Sequence, residues 1–149
     1  MDEITQVRLT RLPMPPSVNK AYRTFHIHGI ARRGKTKELQ KFERHIVKWG
    51  LANTESLREV KELTDKCSKD LFLHVKVQFF FHHKAILCKD GSPKRNDTEN
   101  RMKPILDGVA GILGIDDKWF WSGSFEKFVC PEYQDEHCNV EITHFKLAR

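Results

Sequence analysis

The stretch LFLHVKVQFFF (residues 71–81) alternates apolar and mostly polar side chains, which is the period of a strand with one buried face. Further along, apolar residues recur at helical spacing from Met102 to Leu113, and Gly114 follows them. This spacing predicts an amphipathic helix that ends at the glycine. A strand and a helix that can bury their apolar faces against each other predict a layered fold built on a sheet.

Weaker patterns on both sides complete the predicted order of elements. They indicate a strand over 5–12, a helix that Thr36 caps and Gly50 ends, a short helix over Glu55–Leu63, and strands over 119–129 and 138–147. This order predicts a mixed α/β (α+β) fold in which helices pack on a sheet of about four strands. We expect a single domain over residues 1–149, in which the polar segment 51–70 is a possible helical insertion.

The composition argues against a membrane protein and against a secreted one. The chain has 149 residues, a formal net charge of +6 and no apolar run near the ~20 residues that a membrane span needs. The first residues are acidic and no apolar leader follows them, and the four cysteines show no Cys-x-x-Cys spacing. We therefore expect a reduced, cytoplasmic protein without a membrane anchor. The excess of Lys and Arg favours a polyanionic partner.

The segment from Lys94 to Lys103 contains the first candidate catalytic residues. Pro104 is tolerated only near a helix start, which predicts a helix capped by Asn100 with Asp97 and Glu99 before it in extended backbone. Alternate residues of an extended segment point to the same side, so the two carboxylates would project together. Neighbouring carboxylates need a cation between them, and their hard oxygens suit Mg²⁺ or Mn²⁺.

A second acidic pair, Asp116-Asp117, follows the predicted helix and would join this site only if the chain returns across the sheet. Lys103 supplies a cation for charge that develops on a scissile phosphate. Basic residues near the acidic segment would offset phosphate repulsion; they are Lys89, Lys94, Arg95 and Arg101. The set describes metal-assisted phosphodiester hydrolysis. Taken singly, the same fragments are also ordinary capping and turn sequences.

Three fragments occur in order along the chain: Pro-Pro-Ser-Val-Asn19 with Tyr-Arg23, the segment from Lys94 to Lys103, and Gly114-Ile-Asp-Asp117. Together they resemble the RusA family of Holliday-junction resolvases. Pro-Pro-Ser-Val-Asn19 with Tyr-Arg23 is similar to the opening motif of the family. The segment from Lys94 to Lys103, with Leu106-Asp107, resembles its Arg-x-Asp-x-Asp-Asn-x-x-Lys-x-x-x-Asp signature. Gly114-Ile-Asp-Asp117, with Lys127 downstream, is similar to its Asp-Asp motif. The fragments span most of the chain, from about residue 12 to 127.

The resemblance implies a homodimer that nicks four-way DNA junctions symmetrically with Mg²⁺, in a bacterial or phage context. It implies that Asp97, Glu99 and Asp117 are the catalytic metal carboxylates and that Lys103 is the supporting cation. Asp116 and Asn100 become neighbours of the site. Lys127 joins the expected DNA contacts.

Two departures from the family pattern keep alternatives open. Glu99 stands where the family usually has Asp, and residues 51–70 are longer and more polar than the family suggests. One alternative is a branched-DNA-binding protein that no longer hydrolyses DNA; another is a less selective nuclease for flaps or duplex. A basic segment with Arg32, Arg33 and Lys35 would either grip the DNA backbone or form a solvated hairpin.

Overall fold

A mixed four-stranded sheet forms the centre of the computed structural model, which describes residues 3–96 and 98–148. Its strands are β1 (Gln6–Leu12), β4 (Leu71–His82), β5 (Phe120–Cys130) and β6 (His137–Lys146). They lie in the order β1-β6-β4-β5, so that β5 is an edge strand. The pairs β1–β6 and β4–β6 are antiparallel, whereas β4 and β5 are parallel.

The longer helices cover one face of this sheet. The helices are α1 (Val18–Ala21), α2 (Lys37–Ala52), α3 (Thr54–Asp65), α4 (His83–Ile86) and α5 (Met102–Leu113). Every second residue of β4 from Leu73 to Phe81 is buried in one core, which Phe42 of α2 and Ile105 of α5 also enter. The predicted mixed α/β class, with a sheet of four strands, is confirmed. No helix in the described ranges combines the length and the apolarity that a membrane crossing requires.

A separate hairpin stands between α1 and α2. Its strands are β2 (Tyr22–Ile27) and β3 (Ile30–Lys35), which pair antiparallel and form a sheet of their own. His28 and Gly29 connect them with positive φ angles of 52° and 76°, as in the tight two-residue turns of hairpins. Residues 23–33 are all exposed. The predicted element order lacked these two strands, because a hairpin that buries neither face leaves no apolar alternation in the sequence.

The helix boundaries test the predictions made from capping residues. Thr36 caps α2 as predicted, since its side chain accepts a hydrogen bond from the Leu39 N–H at 3.3 Å. The predicted stop at Gly50 is wrong, because α2 continues to Ala52. Gly50 is buried and lies against the side chains of Leu57 and Ile112, so it allows close packing. Gly114 ends α5 as predicted and has a φ of 66°.

The polar segment 51–70 contributes a helix to the same layer. Its helix α3 runs from Thr54 to Asp65, slightly longer than the predicted Glu55–Leu63. Val60 and Leu63 are fully buried in the core. The α3 helix contacts β1, β6 and α5, and the His144 ring lies 2.8 Å from the Leu63 carbonyl oxygen. These contacts make the segment part of the helical layer that covers the sheet.

Candidate active site

The predicted acidic segment leads into α5 through a tight helical turn. Residues Glu99–Arg101 form this 3₁₀ turn, and Thr98 before it already has helical φ and ψ angles of −57° and −46°. The predictions that Glu99 is extended and that Asn100 caps the helix are therefore wrong. Thr98 is buried and donates a hydrogen bond to the Asn96 side chain at 2.6 Å, so the chain turns earlier than expected. Asp97 lies outside the described residues, and so does the part of the prediction that concerns its side chain.

The first turn of α5 agrees with the position inferred from its proline. Pro104 is the third residue of α5, and it is buried. Its missing N–H therefore falls among the amides that have no partner inside the helix. Glu99 and Asn100, just before α5, are both exposed.

The two carboxylates of the second acidic pair, Asp116 and Asp117, differ in their hydrogen bonding. The Asp116 carboxylate accepts a hydrogen bond from the Lys118 N–H at 2.9 Å and thereby caps the 3₁₀ turn Asp117–Trp119. Asp117 is the first residue of this turn and is exposed. Within the described ranges, the side chains of Glu99 and Asp117 have no hydrogen-bond or ion-pair partner. Both carboxylates are therefore free to bind a ligand.

Lys103 lies in the first turn of α5, between the two acidic segments in the sequence. Its Nζ lies 3.0 Å from Oδ2 of Asp107, one turn along α5. The hydrogen bond and charge of Asp107 raise the pKa of Lys103, and the charges of Tyr22 and Asp117 raise it further. The turn after α5 thus lies within electrostatic reach of Lys103. Asp107 belonged to the quoted motif but was assigned no role, although its i,i+4 spacing from Lys103 is readable in the sequence.

The base of the hairpin borders the same region. Lys35, at the end of β3, forms an ion pair with Glu43 of α2 at 3.0 Å. The pKa of Lys35 is raised mainly by Glu43, with smaller contributions from Tyr22 and Asp107. Tyr22, Lys35, Glu43 and Asp107 all line a groove of about 660 Å³ between α2 and α5. Only the fold reveals this proximity, because these residues are far apart in the sequence.

The predicted DNA-contacting residues fall in three places. Arg32 and Arg33 are exposed on β3 of the hairpin. Lys94 and Arg95 lie in the exposed loop before the acidic segment, where Lys94 Nζ donates a hydrogen bond to the Lys84 carbonyl oxygen at 3.1 Å. Lys127 is exposed on the edge strand β5.

Arg101 differs from these residues because its side chain turns inward. Its Nη1 donates a hydrogen bond to the Pro15 carbonyl oxygen at 2.6 Å. Its guanidinium also lies over the Phe81 ring, 5.3 Å from the centroid. These contacts connect the start of α5 to the proline-rich loop before α1, which indicates a structural role for Arg101.

The donors at this site suit a hard divalent cation. Glu99 and Asp117 present carboxylate oxygens that have no partner among residues 3–96 and 98–148, and such oxygens are the ligands that Mg²⁺ and Mn²⁺ prefer. Among the residues that the structure describes, no group of three or more His, Cys, Asp or Glu side chains is arranged to hold a metal ion. Asp97 lies outside the residues that this statement covers. Glu99 and Asp117 are thus the candidate ligands among the described residues, one before α5 and one after it.

Comparison with known families identifies the family of the chain. No curated protein is similar enough to the chain to count as a match. The family model Endodeoxyribonuclease RusA matches residues 13–143, which is most of the chain and includes both acidic segments, Lys103 and the hairpin. This family acts on branched DNA junctions. The chain therefore belongs to the RusA family of endodeoxyribonucleases.

Proposed function

We propose that this chain is a Mg²⁺-dependent, structure-selective endodeoxyribonuclease that resolves four-way DNA junctions by paired nicks in recombination and repair. The observation that carries the proposal is the pair of exposed carboxylates, Glu99 before α5 and Asp117 after it, which have no partner among the described residues; Asp117 also acts on the charge of Lys103. All three stand at motif positions in the matched family region. We place this activity in the cytoplasm of a bacterial or phage-infected cell.

In this mechanism, Glu99 and Asp117, together with Asp97, would hold the metal ion. Mg²⁺, or Mn²⁺ as a substitute, would polarise the phosphate and lower the pKa of the attacking water. Asp116 supports the site indirectly, since it caps the turn that carries Asp117. Asn100 lies beside Glu99 in the turn before α5, where its amide is available to the DNA or to a metal-bound water.

Lys103 would stabilise negative charge that develops on the scissile phosphate. Its pKa is raised above the ordinary value, chiefly by Asp107, so the ammonium group keeps its proton at neutral and mildly alkaline pH. The Asp107 ion pair also limits the directions in which the side chain can point. Asp107 is therefore a positioning residue for Lys103.

Exposed basic residues would bind the DNA backbone around this site. We assign this role to Arg32, Arg33, Lys35, Lys94, Arg95 and Lys127. Arg101 is omitted because its guanidinium contacts Pro15 and Phe81. Two symmetric nicks require two sites of this kind, so we propose that the active species is a homodimer.

The direct experiment incubates the purified chain with Mg²⁺ and a synthetic four-way junction, a flap or a linear duplex. We expect paired nicks in the junction and little cleavage of the other two. Asp117→Asn should abolish cleavage and retain junction binding, because it removes a ligand charge and keeps the size of the side chain. Asp65→Asn, at the exposed end of α3, is the matched control and should cut normally.

A second candidate is a junction-binding protein that does not hydrolyse DNA. Glu99 favours it, because the longer side chain shifts the carboxylate by about a bond length and catalytic geometry tolerates only ~1 Å. Tight junction binding without nicks in either Mg²⁺ or Mn²⁺ would support this candidate. Equal cleavage of junction, flap and duplex would instead indicate a less selective nuclease.

A further inference from the structure

The β2–β3 hairpin is an exposed arm with an apolar tip. Ile27 and Ile30 pair directly across the two strands next to the His28-Gly29 turn, and their exposed fractions are 49% and 55%. Phe25 lies on the same face, two residues below Ile27, and is 38% exposed. Exposed apolar groups clustered at the end of a projecting element are typical of a contact surface.

The arm has a defined shape. A side chain at Gly34 would collide with the Phe25 ring, since a Cβ there would lie 2.3 Å from Cε1 of Phe25. The ring therefore lies across β3 and covers the glycine. The two isoleucines project beyond this ring, at the end of strands that a two-residue turn holds in register. The tip is thus a narrow apolar edge on a paired β-ribbon.

Charge identifies the kind of partner that this edge would meet. No acidic residue occurs between Glu3 and Glu38. The hairpin and the residues at its base carry six Lys or Arg; these are Lys20, Arg23, Arg32, Arg33, Lys35 and Lys37. Arg32 pairs across the strands with Phe25, so that a cation flanks the apolar tip on the same face. A basic ribbon with an apolar edge complements DNA, whose charged backbones enclose apolar base faces.

The arm is also placed to contact the DNA that the carboxylates would cut. Its base residues Tyr22 and Lys35 line the same groove as Asp107, the ion-pair partner of Lys103. Five residue steps separate Tyr22 from Ile27, which is about 17 Å of strand, or about five base-pair steps. The tip therefore reaches a position several base pairs from the site.

We infer that the hairpin tip, Ile27 and Ile30 with Phe25 behind them, is a wedge that inserts between bases at the crossover of branched DNA while the basic strands hold the backbone. This inference rests on the proposed DNA substrate but not on cleavage. Bases at a crossover are already partly unstacked, so inserting an apolar edge costs less there than within a continuous duplex. The wedge would therefore favour junctions over linear DNA.

The test uses a four-way junction with 2-aminopurine at the crossover, in EDTA so that no DNA is cut. Binding of the natural chain should raise the fluorescence as the bases unstack. Ile27→Ser combined with Ile30→Ser should abolish this rise and weaken junction binding by about tenfold, while duplex binding stays within about twofold. Ile27→Val with Ile30→Val should keep both properties, because the tip stays apolar.

A matched control replaces two exposed apolar residues elsewhere. Val47→Ser with Leu51→Ser, on α2, should change neither the fluorescence nor the junction affinity. Circular dichroism and thermal melting check that each variant folds. An unchanged fluorescence rise in the tip variant would overturn the inference, and so would equal losses on junction and duplex. A change in self-association alone would also overturn it, since the tip would then bind a second copy.

The two proposals fail separately. A chain that unstacks the crossover but cuts no DNA in Mg²⁺ refutes the proposed nuclease and leaves the wedge intact. A chain that cuts junctions normally, and whose serine variant still unstacks the crossover, refutes the wedge alone.

Discussion

At the scale of single residues, adjacent side chains of the same type have different roles. Asp116 accepts a hydrogen bond from the backbone and shapes a turn, whereas Asp117 beside it is exposed and unpartnered within the described ranges. Backbone capping uses the first carboxylate and leaves the second for a ligand. We therefore expect substitutions at the two positions to act differently, Asp116 mainly on the turn and Asp117 mainly on catalysis.

Substitutions at Glu99 test whether cleavage depends on the charge of its carboxylate or on the length of its side chain. Glu99→Gln should abolish Mg²⁺-dependent cleavage because it removes a ligand charge, whereas Glu99→Asp should keep or raise the rate because it restores the side chain usual in the family. Single-turnover junction cleavage measures both effects. Glu99→Gln with activity equal to that of the natural chain would show that Glu99 is not a metal ligand.

A substitution at Asp107 tests whether this residue controls the pKa of Lys103. Asp107→Asn removes the group that most raises the pKa of Lys103, so that pKa should fall in an NMR titration of the lysine side chain. A raised pKa in the folded state stabilises the protein below the unfolded-state pKa of lysine, and this contribution is lost as the pH rises through the folded-state value. Because the pair is exposed, the loss of unfolding free energy at pH 7 should stay below about 0.5 kcal/mol.

The matched control for Asp107→Asn is Asp65→Asn, which should leave the titration of Lys103 unchanged. If the pKa of Lys103 does not move in Asp107→Asn, the ion pair across one turn of α5 does not control its charge.

At the scale of elements, the two ends of α5 position the site. The 3₁₀ turn before α5 carries Glu99, and the turn after Gly114 carries Asp117. The sheet supports this arrangement because Met102, at the start of α5, packs against Gly123 of β5. Its Cε would lie 3.7 Å from a Cβ placed on that glycine. Any change in where α5 ends should therefore displace Asp117 relative to Lys103.

Gly111 within α5 and Gly114, which ends it, provide a matched pair. Gly114→Ala forces a side chain into a backbone with φ of 66° and should cost about 1 kcal/mol of unfolding free energy. Gly111 lies at an exposed helical position, where a Cβ would meet no described atom within 4 Å apart from the neighbouring backbone of its own helix, so Gly111→Ala should stabilise the protein by about 0.5–1 kcal/mol. Chemical denaturation measures both. Equal effects of the same sign would contradict the left-handed cap.

Most of the secondary-structure elements that could be predicted from the sequence have one buried face. All four strands of the large sheet and the helix α5 were predicted within about two residues; in β1, β4, β6 and α5 a buried face imposes a period, whereas β5 is mostly exposed. The strands of the hairpin were absent from the predicted element order, and a solvated hairpin was only one of two interpretations of the basic segment, because neither face of these strands is buried. The extended backbone predicted for Glu99 was wrong because the buried hydrogen bond of Thr98 decides the local turn, and a contact of that kind has no signature in the sequence.

The site could be predicted only in part for the same reason. The motif positions identified Glu99, Lys103 and Asp117 as candidates, and the described structure places them around α5. Tyr22 and Glu43 raise the pKa values of the lysines near the site, and they do so because the hairpin base and α2 pack close to α5. Such long-range proximity depends on tertiary structure, so the sequence alone does not specify it.

At the scale of the whole molecule, charge is unevenly distributed. The chain has a formal net charge of +6, and the hairpin with its base carries six positive residues and no acidic one. The positive charge therefore concentrates on an arm beside the acidic site. This separation suits an enzyme that must attract a polyanion to carboxylates that would otherwise repel it.

Salt dependence tests this distribution. Arg32→Ala with Arg33→Ala should weaken junction binding and reduce the slope of log K against log salt by about 1.8, because each lost phosphate contact removes about 0.9. Lys61→Ala with Lys146→Ala removes the same charge from exposed positions elsewhere and should leave the slope nearly unchanged. Equal reductions in both variants would show that total charge, and not the arm, determines binding.

The central claim is that the acidic segments before and after α5 hold one divalent ion between them. The most direct measurement replaces Mg²⁺ with Fe²⁺ and maps where hydroxyl radicals generated at the ion cut the protein backbone. We predict cuts at two places, near residues 97–103 and near residues 116–118, and the loss of both in Glu99→Gln or in Asp117→Asn. Cuts at only one of the two segments, or cuts that survive both substitutions, would contradict a shared metal site.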